Sequence, residues 1–347
     1  MGRQWLVLAG LALGAGMANA QVAPLTIGRD TAQAGKKVST YLDVPPGRDV
    51  GTQVPISILR GAKPGPTLAL IAGTHGAEVA PILALQRIRQ LINPAELSGT
   101  VLLVHIANVP SYLARTVYYS PVDGKNLNRM YPGDQNGTLS QRIAHVITTE
   151  IIDRADYLVD MHAGDGNESL RPYLYWNKLG LDPAVDEKAR QMALAWGATH
   201  IVVDTTRTKD IKNSIYTQNT AHIRGKPALT TEYGYLGLPV EEMIAANMNG
   251  VSRLLRHLGM LPGPVEQTAN PVWLTRYEVL TAPEGGVWVA AVERGTTVAK
   301  GMVIGRIMNP FGALVGEVKA PFDGEIMYVI GTPAMSKGEP VAMVAAR

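Results

Sequence analysis

Four short stretches of the sequence hold side chains that could do chemistry together. In Ile71-Ala-Gly-Thr-His75-Gly-Ala-Glu78-Val79 an apolar run leaves a strand, turns at glycines and enters a helical pattern, with a His and a Glu three residues apart. At a helix entrance that spacing puts imidazole nitrogen and carboxylate oxygen on one side, where both can reach one ion. Alone, such a pair is more often a solvated helix face or an N-terminal charge device than a site. In Asp156-Tyr-Leu-Val-Asp160-Met-His162-Ala-Gly164 a second apolar run ends on His162, and parallel strands bring their carboxyl ends to one edge of a sheet. Two His and one Glu are a donor set that suits zinc, whose hydrolytic sites use three protein ligands and keep one position open. Asp160, two residues before His162, can point to the same side of the strand and orient the imidazole.

The third stretch is Pro227-Ala-Leu-Thr-Thr-Glu232-Tyr-Gly234, again a short strand ending at an acid. Beside a metal that lowers the pKa of water towards 7, a carboxylate can take the water's proton and later pass it to a leaving amine. The plain alternative for Glu232 is a strand-end carboxylate paired with a surface cation. In the fourth, Asp123-Gly-Lys-Asn126-Leu-Asn128-Arg129-Met-Tyr131-Pro-Gly133, an Asn and an Arg are adjacent in a polar loop. A guanidinium fork matches a carboxylate and an amide adds a neutral donor, so the pair could orient an anionic substrate; a structural β-turn is the other reading. His105 lies inside an apolar strand and reads as core. His145 and His257 fall in helical patterns, and His200 and His222 lie near loops.

These residues need strands and helices to deliver them. Residues 67–72, 101–106, 157–161, 201–203 and 228–231 read as strands, and 77–92, 139–152, 182–196 and 240–258 have helical periodicity. Alternation of this kind predicts an α/β sheet, mostly parallel, with helices on both faces. The polar segment 205–224, with Arg207, Lys209, Lys212 and Arg224, reads first as a plain surface loop, and as a loop bordering the site entrance in the functional reading. After Leu261-Pro-Gly-Pro264 and a polar linker to Asn270-Pro271, the texture changes to short β runs and glycine turns. There Ala282-Pro283-x-x-Gly286 with Lys300-Gly301 is echoed by Ala320-Pro321-x-x-Gly324 with Lys337-Gly338, at an offset of about 38 residues. Two such copies predict a small barrel or sandwich. The repeat resembles biotinyl and lipoyl carrier domains, but the stretch between its halves, 305–316, has no lysine to carry a cofactor.

Composition narrows the function further. The chain has 347 residues, 36 Gly, 23 Pro and no Cys, with 32 Lys and Arg against 29 Asp and Glu. Without cysteine there are no disulfides, thiolate zinc sites or Cys nucleophile, so a metal must be held by His and carboxylate. The near-balanced charge speaks against a nucleic-acid binder. Residues 1–20 read as a cleavable export signal: Arg3, then an apolar run from Trp5 to Met17, then Ala18-Asn19-Ala20 as a cleavage site. That run is shorter than the roughly 20 residues needed to span a bilayer, so no stable membrane insertion is expected after cleavage behind Ala20. A periplasmic or secreted protein is expected.

Taken together, His75-Gly-Ala-Glu78, Asn126-Leu-Asn128-Arg129, His162 after an apolar strand and Glu232-Tyr-Gly resemble the succinylglutamate desuccinylase and aspartoacylase family, zinc hydrolases related to the M14 metallocarboxypeptidases. The resemblance spans residues 45–260. It implies a zinc-carboxypeptidase-like α/β fold with a mixed central sheet and helices on both faces, followed by a small all-β C-terminal domain. The domains would be a signal at 1–20, a catalytic domain at 21–265 and the β domain at 272–347. It further implies one Zn2+ on His75, Glu78 and His162, Glu232 as general base, and Asn128 with Arg129 on the substrate carboxylate. Many members carry an arginine before the Asn-Leu-Asn-Arg segment that polarises the scissile carbonyl. Arg115 is the nearest upstream arginine here, while Tyr118 to Pro121 fill the expected stretch. Arg224, ahead of Glu232, is a further candidate for binding an anion. The activity implied is hydrolysis of the amide of an N-acyl amino acid, a small anionic substrate. A carboxypeptidase acting on short or cell-wall peptides, an ester hydrolase and a non-catalytic binding protein are the alternatives.

Overall fold

The computed structural model describes residues 22–347, so the expected export signal lies outside the described residues. The catalytic half is built on a nine-stranded sheet. In spatial order its strands are Val272–Leu274, His200–Asp204, Tyr173–Asn177, Ala228–Glu232, Tyr157–His162, Lys63–Ala72, Ser98–Val104, Thr52–Arg60 and Lys36–Val44. The three strands that lead to His75, His162 and Glu232 are neighbours and run parallel, with Ile71 beside Asp160 and His162 beside Glu232. Antiparallel pairing flanks them: Tyr173–Asn177 runs against Ala228–Glu232, and the hairpin of Lys36–Val44 and Thr52–Arg60 closes the far edge. The sheet is therefore mixed, as the family resemblance implied, and the mostly parallel expectation is corrected. Tyr173–Asn177 gives little period-2 signal because it is apolar on both faces.

Side-chain alternation along the strands splits the core in two. Leu68, Leu70, Val159 and Met161 meet Ile82, Leu85, Met192, Trp196 and Leu254 from the helices Val79–Leu91, Pro183–Trp196 and Glu241–His257. Ala69, Ile71 and Leu158 point the other way, onto Ile143, Ile147 and Ile151 of the Leu139–Ile147 helix and the wider turn at Thr148–Ile152. Both faces are covered, which accounts for the nearly unbroken apolar runs of the central strands. Among the described residues no helix is long and apolar enough to cross a membrane.

The expected start of the β domain at residue 272 needs a correction. Val272–Leu274 is the outer strand of the catalytic sheet, in parallel register with His200–Val202, and the β domain begins at Arg276–Thr281. Its two antiparallel sheets enclose Trp288, Ile304, Ile307, Ile326 and Val344. Ala282 and Ala320, one in each copy of the repeated turn, are both buried in this core. Glu168–Leu170, from the catalytic half, adds itself to one sheet by pairing with Tyr328–Ile330, and Met327 and Met343 pack there on Leu170 and Leu274.

Candidate active site

His75 sits in the turn that follows the Lys63–Ala72 strand, and Glu78 is the cap of the Val79–Leu91 helix. The two meet through the turn, rather than through the helix periodicity that the spacing predicts. Glycine makes this turn possible. Gly73 has φ 71°, a left-handed conformation, and a Cβ on Gly76 would collide with the Ser111 carbonyl. His162 ends its own strand one neighbour away. The result is a triad of three buried side chains, with one donor atom from each of His75, Glu78 and His162 within 4.8 Å of the others.

Both imidazoles turn Nδ1 to the same carboxylate. Nδ1 of His75 is 2.7 Å from Oε1 of Glu78, and Nδ1 of His162 is 2.9 Å from Oε2. That second oxygen is buried and does not meet His162 at a hydrogen-bonding angle, so it has no hydrogen-bond partner. Behind the far nitrogens, Oδ1 of Asn126 is hydrogen-bonded to His75 Nε2 at 3.1 Å, and Oδ2 of Asp160 lies 3.2 Å from His162 Nε2 as a charge partner without a hydrogen bond. Burial opposes ionisation of Glu78, yet the two imidazoles outweigh it and hold the carboxyl at about 2. For His162 burial opposes charge, and Asp160 and Glu78 on either side overcome it and raise its pKa. Two nitrogen donors and an orphaned carboxylate oxygen converging in a buried place that favours positive charge are what a divalent cation requires. The donor set fits the metal that the family resemblance implies.

The triad opens into a cavity of about 490 Å³. Glu232 lines it from the strand next to His162, and burial, with the Glu78 and Glu168 charges adding to it and His162 acting against it, lifts its pKa well above the usual carboxylate range. Asn128 is buried there, with Nδ2 3.3 Å from His162 Nε2, while Oδ1 accepts from the Thr217 N–H at 3.2 Å. Arg129, at the rim, lies over the Tyr216 ring at 4.6 Å and has no carboxylate partner among the described residues. Arg115 and Arg224 are placed elsewhere. Arg115 ends the Val109–Ala114 helix in an exposed left-handed conformation, and Arg224 pairs with Asp153 at 3.2 Å; neither lines the cavity.

Several lining residues gave no clear sequence signal. Arg207, from the polar segment 205–224, stacks 3.9 Å above the Tyr216 ring and meets Asp204 at 2.6 Å. Tyr118 stands edge-on to His75, with ring centroids 5.7 Å apart, and adopts φ 56°. Its N–H donates to Asp165 at 2.8 Å and its hydroxyl donates to Glu168 at 2.7 Å. Tyr277 and Tyr328 come from the β domain and form part of the cavity wall. Only their long-range pairing brings them here, so no local motif marks them.

A buried His-Glu-His triad that could hold a metal ion at the carboxyl edge of a mixed sheet, beside a carboxylate on the adjoining strand, is the arrangement of an α/β hydrolase. Comparison with known proteins makes this specific. Residues 64–258 match the model of the succinylglutamate desuccinylase/aspartoacylase catalytic domain, and the chain belongs to that family. It is 27% identical over 300 residues to an N-alpha-acetyl-L-2,4-diaminobutyric acid deacetylase of Halomonas elongata, a match covering 84% of this chain and 85% of the relative. A succinylglutamate desuccinylase/aspartoacylase of Rhodobacter sphaeroides is 27% identical with TM-score 0.77, covering 89% of this chain and 95% of the other. The product-bound ectoine utilization protein EutE (DoeB) of Ruegeria pomeroyi shares the fold at TM-score 0.81 and 24% identity, over 94% of this chain and 99% of that one.

Proposed function

We propose that this chain is an exported zinc hydrolase that cleaves the amide bond of an N-acyl amino acid. The observation that carries the reading is the convergence of His75, Glu78 and His162 on one point beside Glu232. Those three residues would hold one zinc ion. Bound there, zinc supplies a Lewis acid that lowers the pKa of water towards 7 and polarises a carbonyl. Glu232 takes the proton of the attacking water and returns it to the leaving nitrogen. Arg129, at the rim without a carboxylate partner, binds the substrate carboxylate, with the Asn128 amide beside it. Their grip places the scissile carbon next to the triad.

Two features support an acyl amino acid over a peptide. The β domain contributes Tyr277 and Tyr328 to the wall of a cavity of about 490 Å³, a size that suits a small molecule. The Halomonas elongata relative is by name a deacetylase of an N-acetyl amino acid. Export rests on residues 1–20, whose charged, apolar and A-x-A regions follow the signal-peptide order. The test is metal analysis of the purified protein joined to a screen of acetyl- and succinyl-amino acids alongside dipeptides. Stoichiometric zinc and turnover confined to acyl amino acids are expected; dipeptide hydrolysis without acyl-amino-acid turnover overturns the reading. N-terminal sequencing of the exported protein should begin at Gln21.

A further inference from the structure

Once the cavity charges are assigned, one is left over. Arg207 is matched by Asp204, Arg129 faces the substrate carboxylate, and Glu78 and Glu232 belong to the reaction centre. Glu168 has no such counterpart. It opens into the same cavity on the His75 side and pairs with no basic side chain among the described residues. Its Oε1 accepts from the Tyr118 hydroxyl at 2.7 Å, and its Oε2 accepts from the Asp165 N–H at 3.2 Å. The neighbouring Asp165 is fully buried and accepts from the N–H groups of Tyr118 and Gly166. Glu168 is half-buried in the cavity wall. Burial, with the Glu78 charge adding to it, lifts its pKa to about 7 against the Tyr118 hydrogen bond.

What fills the cavity must therefore answer this carboxylate. An apolar substrate side chain leaves it without a countercharge, and an acidic one adds repulsion. An ammonium group supplies the missing countercharge and donors, and the rings of Tyr118, Tyr173 and Tyr328 in the same cavity wall suit a cation as well. We infer that Glu168 selects the substrate side chain: the acyl amino acid cleaved here carries an amine at the end of a short side chain, which Glu168 binds while Arg129 binds the α-carboxylate. The inference rests on the deacylase reading and narrows its substrate class.

The experiment compares three substrates on the zinc-loaded full chain: Nα-acetyl-2,4-diaminobutyrate, its uncharged isostere Nα-acetylnorvaline, and N-acetylaspartate. We expect kcat/KM at least about tenfold higher for the amine than for the isostere, with the aspartate derivative lowest. In Glu168→Gln the amine-to-isostere ratio should collapse to within about threefold of one. Tyr118→Phe removes the hydrogen bond but keeps the carboxylate, so it should retain the preference; joint loss in both variants would mean that Glu168 serves only to hold Tyr118. Calorimetric binding of the products 2,4-diaminobutyrate and norvaline gives a readout independent of turnover and of whether Glu168→Gln folds. Equal binding and equal kcat/KM of amine and isostere in the wild type overturn the inference while leaving the deacylase reading intact. If no acyl amino acid is cleaved, that reading fails, and the product binding alone decides whether Glu168 selects an amine.

Discussion

Oδ2 of Asp160 stands 3.2 Å from Nε2 of His162, two residues apart on one strand, while Nδ1 of the same ring faces Glu78. The period of two places both side chains on one face of the strand, as the sequence predicts. A buried carboxylate behind the ring favours positive charge there and so favours a bound cation. Asp160→Asn should weaken zinc binding by about 10–100-fold with the fold intact. Chelator competition monitored by metal analysis checks this; wild-type affinity in the variant would show that the aspartate only ends a strand.

Glu78 is a buried and Glu232 a half-buried carboxylate of the site, and their surroundings drive them in opposite directions, Glu232 up and Glu78 down. The raised group is the one suited to exchanging protons near neutrality. Glu232→Gln should lower kcat by about 10²–10⁴-fold while the protein still binds zinc stoichiometrically. Retained turnover removes Glu232 from the mechanism. Loss of zinc would instead make it a ligand.

The triad was legible because His75 follows one apolar run, His162 ends another, and Glu78 opens the helical pattern three residues after His75, so that local patterning marks all three. Asn128 and Arg129 were visible for the same reason, a compact polar loop with functional side chains. The search for a second arginine failed on Arg115 and Arg224 because it relied on distance along the chain. The second arginine lining the cavity is Arg207, held by Asp204 and by its stack on Tyr216, neither of which has a strong local pattern. Glu168 and Tyr328 lie on strands that pair across the two halves, Glu168 opposite Ile330 and Tyr328 opposite Leu170, between segments far apart in sequence. Pairings of that kind depend on tertiary packing and not on periodicity.

Arg129 sits at the cavity rim on the Tyr216 ring, with Nη1 donating to the Asn128 carbonyl at 2.8 Å. That bond and the ring fix the guanidinium plane and leave its fork for an anion. A charge-assisted hydrogen bond contributes about 1.5–3 kcal/mol, so Arg129→Met should cost roughly 10–150-fold in kcat/KM, mainly through KM. Lysine should restore only part, since it lacks the planar fork. A fall in kcat at unchanged KM would move Arg129 from substrate binding to the chemical step.

Met327 is fully buried where the β domain meets the catalytic half, against Leu170, Leu274 and Met343. Its removal leaves a cavity at the junction itself. Met327→Ala should destabilise the protein by about 2–5 kcal/mol, and the two halves should still unfold together because Glu168–Leu170 pairs across the boundary. Calorimetry of the variant checks both points. Two separated transitions, one near the wild-type temperature, would mean that the halves are energetically independent.

His105 gives the fold a dependence on pH away from the active site. Its Nε2 is 2.8 Å from the Ser57 hydroxyl oxygen, whereas its Nδ1 is buried without a hydrogen-bond partner. A second proton would have no acceptor, and burial, with Arg89 adding to it, lowers the pKa to about 4. The unfolded chain takes up that proton near 6.5, so it binds more protons than the fold between these values. The contribution is therefore complete above pH 6.5 and is lost as the pH falls towards 4, at a cost of roughly 3 kcal/mol. His105→Gln should weaken the fold at pH 7.5 but lose less stability on acidification, so that the two unfolding free energies converge near pH 4.5. Urea denaturation at pH 7.5, 5.5 and 4.5 measures the difference. A constant gap between wild type and variant across that range would show that His105 does not change its protonation between the folded and unfolded states.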